Sequence, residues 1–254
     1  MAQTRVMITG ASSGIGHALA REYAQAGAHV GLVARREAPL QELSAQIEAS
    51  GGKAAYATAD IQDYQQVQQA VQQLLTHLGG CDIMIANAGV GGHHSATSLN
   101  IHVTDKVIRT NLLGPLYTFE AILPTMLQQK SGQLVAISSM AAWRALPNVG
   151  AYCASKAGLN TFMRSLRMNL HGTGIATTVI NPGFVATPMT EKNPTRLWVQ
   201  TPEKAARRIR RAISRKKTSY SFPKRMTMLM NLVRFLPDSI LRKMIPPEKE
   251  DENQ

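Results

Sequence analysis

The sequence predicts an α/β fold: a doubly wound parallel sheet between two layers of helices (three layers, α/β/α), with a helical C-terminal appendage. Two observations predict it. Short β-branched or apolar runs alternate with helix-length segments, and glycine-containing turns separate them. The runs are apolar on both faces, as strands buried between helix layers must be. The 254 residues, 44% of them hydrophobic, are enough for one such domain and its core.

Six strands are predicted before residue 181, with helical patterns between them. The strands are Arg5–Thr9, His29–Ala34, Lys53–Ala59, Asp82–Asn87, Gln133–Ser138 and Ala176–Ile180. Apolar residues at one-turn spacing, such as Ile15 and Leu19, indicate the first helix, and the glutamine-rich Tyr64–Leu78 indicates an amphipathic surface helix. No internal repeat or Pro/Gly-rich linker divides the chain. We therefore expect one domain, with its main body in residues 1–190 and a C-terminal extension in residues 191–254.

The formal net charge of +12 is concentrated in residues 204–225, which contain ten basic and no acidic side chains. A nucleic-acid-binding domain would show a broader basic face, so no nucleic-acid partner is expected. Neither Cys81 nor Cys153 lies in a metal-binding pattern, and we interpret the His93-His94 pair as part of a polar loop. No metal site is therefore predicted. Because no secretory signal and no membrane-spanning apolar run is visible, the expected compartment is the cytoplasm.

A glycine-rich loop follows the first predicted strand and opens the first helix. Its spacing is G-x-x-x-G-x-G, formed by Gly10, Gly14 and Gly16. Glycines permit the sharp turn and the close approach of backbone to a pyrophosphate, and the free N–H groups of the helix start attract phosphates. Such a loop alone can be an ordinary strand-to-helix turn. Its position between a strand and a helix favours a dinucleotide site.

The end of the second predicted strand indicates which dinucleotide is bound. NAD sites usually place an acidic residue there for the ribose hydroxyls. Here Ala34 is followed by Arg35 and Arg36. Guanidinium groups suit a 2′-phosphate because they are permanently charged and can pair with it through two hydrogen bonds. The alternative is a solvated arginine pair at a helix start. We predict NADP(H) as the cofactor.

Three side chains form a candidate catalytic group. Tyr152 and Lys156 lie one helical turn apart on one helix face. A tyrosine hydroxyl has an ordinary pKa of about 10, and a nearby ammonium together with an oxidised nicotinamide would lower it. Ser139 follows an apolar strand, from which its hydroxyl can hold a substrate oxygen beside Tyr152. A Y-x-x-x-K pair alone is usually a solvated helix face, so its specificity comes from this combination.

Together these motifs resemble the short-chain dehydrogenase/reductase family over about residues 4–190. The chain also has Asp60-Ile61 after the third strand, Asn87-Ala88-Gly89 after the fourth, Asn111 in the next helix, and Asn181-Pro182-Gly183 with Thr187. The resemblance implies a Rossmann-type dinucleotide-binding and catalytic domain. It further implies direct hydride transfer between nicotinamide C4 and a carbonyl carbon, without metal, and assembly into a homodimer or homotetramer.

The resemblance also implies roles for individual residues. The catalytic residues are Asn111, Ser139, Tyr152 and Lys156, with Tyr152 as general acid/base and the Asn111 backbone carbonyl fixing a water next to Lys156. The implied cofactor-binding residues are Gly10, Ser12, Ser13, Gly14, Ile15 and Gly16 for the phosphates; Arg35 and Arg36 for the 2′-phosphate; Asp60 and Ile61 for adenine; Asn87, Ala88 and Gly89 for the adenosine ribose side; Tyr152 and Lys156 at the nicotinamide ribose; and Pro182, Gly183, Val185 and Thr187 for the nicotinamide amide.

Bulky apolar residues follow the strands at the predicted substrate end. The candidate substrate-binding residues are Ser139, Trp143, Phe184 and Met189, with Trp198 as a further candidate. They favour a hydrophobic ketone, aldehyde or secondary alcohol over a sugar or a phosphorylated acid. The tryptophans could equally be packing residues. A non-catalytic NADP-binding sensor or scaffold is the functional alternative, and the intact Ser139, Tyr152 and Lys156 set argues against it.

The C-terminal extension contains three predicted elements and part of a fourth. Pro202 begins a helix, Tyr220–Pro223 resembles a final edge strand, and Met226–Leu236 has the spacing of an amphipathic helix. Asp238 can cap a second short helix that includes Ile240, Leu241, Met244 and Ile245. We considered, in order of preference, a lid or subunit contact that buries the apolar face, a peripheral membrane surface, and a nucleic-acid site.

Overall fold

The computed structural model describes residues 3–92, 99–191 and 197–240. Within these residues, seven strands form one parallel sheet in the order β3-β2-β1-β4-β5-β6-β7. The strands are β1 (Arg5–Thr9), β2 (His29–Ala34), β3 (Lys53–Thr58), β4 (Ile83–Ala86), β5 (Gly132–Ile137), β6 (Ile175–Pro182) and β7 (Ser219–Phe222). The predicted doubly wound α/β class is confirmed.

Helices cover both faces of the sheet. They are α1 (Gly14–Gln25), α2 (Glu37–Ala49), α3 (Tyr64–Leu78), α4 (Ile101–Ile108), α5 (Gly114–Gln129), α6 (Gly150–Asn169), α7 (Pro202–Ser214) and α8 (Lys224–Val233), with a π-helical turn at Arg109–Leu113 and a 3-10 turn at Met140–Ala142. One buried cluster joins α1, α2 and α7 to the sheet, and a second joins α3, α5 and α6 to its other face. The predicted α/β/α layers are therefore present.

The predicted bounds of β1 and β2 match the structure, whereas those of β3 differ by one residue at its end and those of β4, β5 and β6 differ by one or two residues at both ends. The β4 prediction included Asn87, but β4 ends at Ala86 because the Asn87 N–H turns away to donate to Thr9 Oγ1, at 3.1 Å. In contrast, β6 continues to Pro182, beyond the predicted end, because β7 pairs with its last four residues. Contacts with neighbouring strands thus determine where β4 and β6 end.

Local sequence signals explain the ends of α3. The Asp63 side chain caps the helix by accepting a hydrogen bond from the Gln66 N–H, at 3.0 Å. Gly79 ends it in the left-handed conformation, with a φ of 69°. The predicted amphipathic helix over Tyr64–Leu78 is confirmed.

The residues after 190 complete the sheet and one helix layer. Helix α7 buries an apolar face that includes Ile209 and Ile213 against α1. Strand β7 adds the predicted edge strand, with Phe222 fully buried. A last helical turn starts at Asp238, but Leu241, Met244 and Ile245 lie outside the described residues. So do His93 and His94. Across the described ranges, no helix is long and apolar enough to cross a membrane.

Candidate active site

The sheet topology creates a crevice between the ends of β1 and β4. The chain runs from β1 outward through β2 and β3 and then returns to the other side of β1 as β4. In doubly wound sheets, this reversal separates the loops at the carboxyl ends of the strands and forms the usual ligand site. A cavity of about 530 Å³ lies here, lined by the loops that follow β1 to β6. It is the setting for nearly all of the predicted site residues.

The cavity lining includes eighteen of the nineteen predicted cofactor-binding residues. They are Gly10, Ser12, Ser13, Gly14, Ile15, Arg35, Arg36, Asp60, Ile61, Asn87, Ala88, Gly89, Tyr152, Lys156, Pro182, Gly183, Val185 and Thr187. Of the predicted catalytic and substrate residues, Ser139, Tyr152, Lys156 and Met189 also line it. Gly16, Asn111, Trp143 and Phe184 do not.

The glycine loop is tied to the start of the β4 loop by Asn87. The Asn87 amide Nδ2 donates to the carbonyl oxygens of Thr9 and Gly10, at 2.9 and 3.3 Å. Gly10 has a φ of 68°, and a Cβ there would lie 2.8 Å from Ala88 Cα. A Cβ on Gly16 would lie closer than 3.0 Å to both the Gly10 carbonyl and Asn87 Nδ2. Only glycine fits these two positions, so Gly16 shapes the loop although it does not line the cavity.

The N-terminus of α1 opens into the cavity with its backbone donors uncapped by a side chain. Ser13 is the N-cap residue, and its hydroxyl makes no capping hydrogen bond among the described residues. The first turn of α1 contains no acidic residue. Free N–H groups and the positive end of the helix dipole therefore favour an anionic group here.

Two arginines extend this positive region along the rim. Arg36 Nη2 donates to Ser12 Oγ, at 3.4 Å, which places its guanidinium beside the glycine loop. Arg35 Nη1 lies 3.7 Å from Asp60 Oδ2. Ala34, which is buried, occupies the end of β2 where an acid would bind ribose hydroxyls. The rim thus presents two cations to a ligand at this end of the cavity.

Tyr152 and Lys156 meet Ser139 on the opposite side of the cavity. Lys156 Nζ donates to the Ile137 carbonyl at 3.0 Å and lies 5.8 Å from the centroid of the Tyr152 ring. Ser139 lies directly after the strand that contains Ile137, and its Oγ accepts from the Ala141 N–H, at 3.1 Å. The end of β5 and one face of α6 thus hold the three predicted catalytic side chains together.

Burial controls the protonation of this group. It lowers the pKa of the Lys156 ammonium from 10.5 to about 8. It also raises the pKa of the Tyr152 hydroxyl, although the hydrogen bond from Ser139 opposes that rise. The sequence led us to expect a lowered Tyr152 pKa. Desolvation of the phenolate outweighs the effect of that hydrogen bond, so the pKa of Tyr152 lies above its ordinary value.

Asn111 lies in the π-helical turn Arg109–Leu113 rather than in the predicted regular helix. Its Oδ1 accepts from the Val90 N–H at 2.8 Å, and its Nδ2 donates to the Val90 carbonyl at 2.9 Å and to Ser155 Oγ at 3.2 Å. The side chain is therefore fully used in joining three segments of chain. Any part that Asn111 has in catalysis is left to its backbone, as the resemblance implied.

Two predicted substrate residues do not line the cavity, and Thr110 is among the lining residues that were not predicted. Trp143 and Phe184 are partly buried outside the lining, whereas Trp198 is exposed with a φ of 54°. Thr110 is buried and lines the cavity, and its Oγ1 has no partner among the described residues. A helical threonine normally bonds the carbonyl four residues earlier, as Thr118 does. No signal in the sequence revealed the π-helical turn that brings Thr110 to the cavity.

Comparison with known proteins decides the family. The sequence profile described as short chain dehydrogenase matches residues 4–198, more than half of the chain. The chain belongs to the short-chain dehydrogenase family. It is therefore an oxidoreductase of a family that uses nicotinamide cofactors and small-molecule substrates and is generally oligomeric.

Relatives of this dehydrogenase span most of its length. It is 36% identical over 242 residues to an uncharacterised oxidoreductase of Myxococcus xanthus, covering 94% of this chain and 95% of the relative. It is 33% identical over 218 residues to the ketoacyl reductase HetN of a Nostoc species, covering 84% and 76%. A match over 94% of the chain must include most of the C-terminal extension, so the similarity continues beyond the family profile, which ends at residue 198.

Solved structures have the same fold. A short-chain type dehydrogenase/reductase from Mycobacterium marinum superposes with a TM-score of 0.80 at 27% identity, covering 86% of this chain and 92% of that one. An alcohol dehydrogenase from Thermococcus sibiricus, complexed with 5-hydroxy-NADP, superposes with a TM-score of 0.79 at 24% identity, covering 87% and 95%. At that identity, the second likeness supports the fold alone.

Replacing Lys156 with Met is expected to stabilise the dehydrogenase below pH 8. There the native state carries a buried ammonium, whose lowered pKa corresponds to a cost on the order of 3 kcal/mol relative to the unfolded chain. Between about pH 8 and pH 10.5 the native lysine loses its proton while the unfolded one keeps it, so wild-type stability rises with pH and the advantage of the variant shrinks. Urea unfolding below pH 8 and near pH 10.5 measures this. A variant less stable than wild type at both pH values would contradict it.

Proposed function

We propose that the protein is an NADP(H)-dependent carbonyl reductase or alcohol dehydrogenase. It transfers a hydride between nicotinamide and a hydrophobic ketone, aldehyde or secondary alcohol. One observation carries the proposal: the Ser139, Tyr152 and Lys156 group and the Arg35 and Arg36 pair line the same cavity, at the carboxyl end of one parallel sheet.

The residues present fit a phosphorylated dinucleotide. The glycine loop leaves no room for side chains at Gly10 and Gly16, so its backbone can approach a pyrophosphate. The uncapped start of α1 offers N–H donors to the phosphates. At the rim, Arg35 and Arg36 would hold the 2′-phosphate, and the absence of an acid at Ala34 removes the usual ribose partner of NAD.

The chain's own residues would supply binding and proton transfer. When bound, the nicotinamide cofactor donates or accepts the hydride at its C4 atom. Ser139 would hold the substrate oxygen by a hydrogen bond, and Tyr152 Oη would give its proton to that oxygen in reduction or take it in oxidation. Lys156 would hold the nicotinamide ribose hydroxyls. Its ammonium, with a pKa of about 8, can exchange protons near neutrality.

The wall beside the catalytic group supports an apolar substrate. Met189 lies over Gly89 and Gly91, within 3.8 and 3.7 Å of where their Cβ atoms would be. The same Gly89 position is 3.6 Å from Lys156 Nζ, so Met189 borders the catalytic end of the cavity. A flexible thioether side chain adapts to apolar ligands of varied shape. Trp143 and Phe184, next to this end in the chain, would contribute only if their loops closed onto the substrate.

Replacing Arg35 and Arg36 together with Ala is expected to weaken NADPH binding by about 100- to 10,000-fold while changing NADH binding little. Each charge-assisted hydrogen bond to a phosphate is worth about 1.5–3 kcal/mol, and the unphosphorylated cofactor makes none of these bonds. Fluorescence titration with both cofactors measures the ratio. Arg207→Ala is the matched control, because Arg207 is exposed on α7 and does not line the cavity. An unchanged NADPH-to-NADH ratio would refute the proposed 2′-phosphate site.

A screen of carbonyl compounds by NADPH oxidation tests the reaction itself. We expect turnover of apolar ketones or aldehydes and little turnover of sugars or phosphorylated acids. Tight NADPH binding without turnover of any carbonyl compound or alcohol would instead support the sensor or scaffold function. We further propose that the protein assembles as a homodimer or homotetramer through α5 and α6, which sedimentation equilibrium can measure.

A further inference from the structure

One side of α8 exposes large apolar side chains to solvent. Met228, Leu232 and Phe235 are 69%, 71% and 75% exposed. They are spaced four and three residues apart and therefore lie on one side of the helix and its following turn. Met226, on the opposite side, is buried against the domain. We name Met228, Leu232 and Phe235, with the cations that flank them, the α8 face.

The flanking charge is positive. Lys224 and Arg225 are exposed in the first turn of α8, on the same side as Met228. Arg234 lies over the Phe235 ring, with its Cζ 4.5 Å from the centroid. Between Glu203 and Asp238 the chain contains eleven lysines and arginines and no acidic residue. The α8 face is therefore an apolar strip flanked by cations, and the next carboxylate along the chain, Asp238, pairs with Arg144.

The rest of the basic segment has a different environment. The apolar face of α7 is buried against α1 within the same chain, and Arg210 Nε donates to Glu22, at 2.8 Å. Strand β7, at the edge of the sheet, separates α7 from α8 along the chain. In the sequence, the charge of residues 204–225 directly precedes the predicted amphipathic helix. The structure instead divides them. In α8, Met226 is buried and Met230 and Val233 are half-buried, whereas Met228, Leu232 and Phe235 are left uncovered by the described residues.

The apolar side chains and the cations of the α8 face together indicate which kind of partner it binds. A second copy of the chain would bring like charges together, and a nucleic acid would leave the apolar strip without a partner. An anionic bilayer matches both properties, because lipid headgroups pair with the cations while the apolar side chains enter the boundary between headgroups and acyl chains. We propose that the α8 face docks on an anionic membrane surface, with Lys224, Arg225 and Arg234 at the headgroups and Met228, Leu232 and Phe235 inserted.

Contacts of α8 connect this surface to the cavity wall. A Cβ on Gly183, which lines the cavity, would lie 3.3 Å from atoms of both Pro223 and Met226. Arg144, in the segment after Ser139, pairs with Asp238 just beyond α8. Docking would therefore place the cavity beside the bilayer, from which an apolar carbonyl compound could be drawn. This last step alone rests on the proposed function.

Cosedimentation of the full chain with vesicles tests the docking. We expect binding to vesicles of phosphatidylcholine with phosphatidylserine, weakening as salt rises, and little binding to phosphatidylcholine alone. A triple variant, Met228→Ser with Leu232→Ser and Phe235→Ser, should bind at least tenfold more weakly. Lys224→Gln with Arg225→Gln should also bind more weakly at low salt. The matched control is Arg207→Gln with Arg211→Gln, which removes two exposed cations from α7 and should retain most of the binding.

Several outcomes would overturn the proposal. They are no binding to the anionic vesicles, equal binding to neutral ones, undiminished binding of the triple variant, or an equal loss for the α7 control. Either of the first two results would exclude docking on an anionic membrane. Either of the last two would mean that binding reflects only the overall positive charge of the protein. Thermal unfolding verifies that each variant is folded. Because the vesicle assay needs neither cofactor nor substrate, its result is independent of the proposed reaction.

Discussion

Tyr152→Phe is expected to lower kcat by about 100- to 10,000-fold, the range that general acid–base groups contribute. The substitution removes only the hydroxyl that would exchange a proton with the substrate oxygen, and keeps the half-buried ring beside the cavity near Lys156. Cofactor contacts of the glycine loop and the two arginines are untouched. NADPH affinity should therefore stay within a few-fold of wild type. Steady-state turnover and a separate NADPH titration measure the two effects.

Tyr56→Phe is the control for this substitution, because Tyr56 is partly buried on β3 and does not line the cavity. It should leave both turnover and NADPH affinity near wild type. Undiminished turnover by Tyr152→Phe would refute the assignment of Tyr152 as the proton donor. A parallel loss of NADPH binding would mean that the hydroxyl acts in cofactor binding or in the structure of the site, and would remove the evidence for a separate chemical role.

Gly16→Ala is expected to weaken NADPH binding at least tenfold and to destabilise the fold by about 1–3 kcal/mol, the usual cost of forcing an extra methyl into a packed site. The added Cβ would lie closer than 3.0 Å to the Gly10 carbonyl and to Asn87 Nδ2. Neither group can yield cheaply, since one is backbone and the other makes two hydrogen bonds to the loop. The loop must shift, and its phosphate-binding N–H groups shift with it.

Gly158→Ala is the matched helical control. Its Cβ would meet only the Leu112 methyl groups, at 3.3 and 3.5 Å, which are the flexible ends of a side chain. Helix propensity favours the alanine, so this variant should be about as stable as wild type and bind NADPH normally. Isothermal titration and urea unfolding compare the two variants. Equal NADPH affinity for Gly16→Ala and wild type would contradict the structural account of the loop.

The central sheet could be predicted closely because several local signals agree there. In β1 and β2, a short apolar run, a following turn and burial on both faces all point to one strand, and their bounds match. At β4 and β6 the ends depend on partners distant in sequence, namely Thr9 and β7. Periodicity carries no information about such partners, so these bounds were off by one or two residues.

The candidate site could be predicted where spacing along the chain determines geometry. Tyr152 and Lys156 share a face because a helix has a fixed pitch. Trp143 and Phe184 were chosen by size and proximity in sequence, and loops do not fix where such side chains point. Thr110 lines the cavity because it lies in a π-helical turn, and no residue type in the sequence predicts such a turn. The sequence likewise could not predict which side of α8 is exposed, because that depends on how the helix packs against the rest of the domain.

The hydrogen bonds of Asn87 affect both the rate and the entropic cost of ligand binding. The side chain donates to the carbonyl oxygens of Thr9 and Gly10, and these hydrogen bonds stabilise one shape of the loop between β1 and α1 without any contribution from a phosphate. A ligand that binds an already ordered loop avoids the entropic cost of immobilising that loop. Association can then approach the rate set by diffusion and charge steering, with no slow rearrangement of the chain.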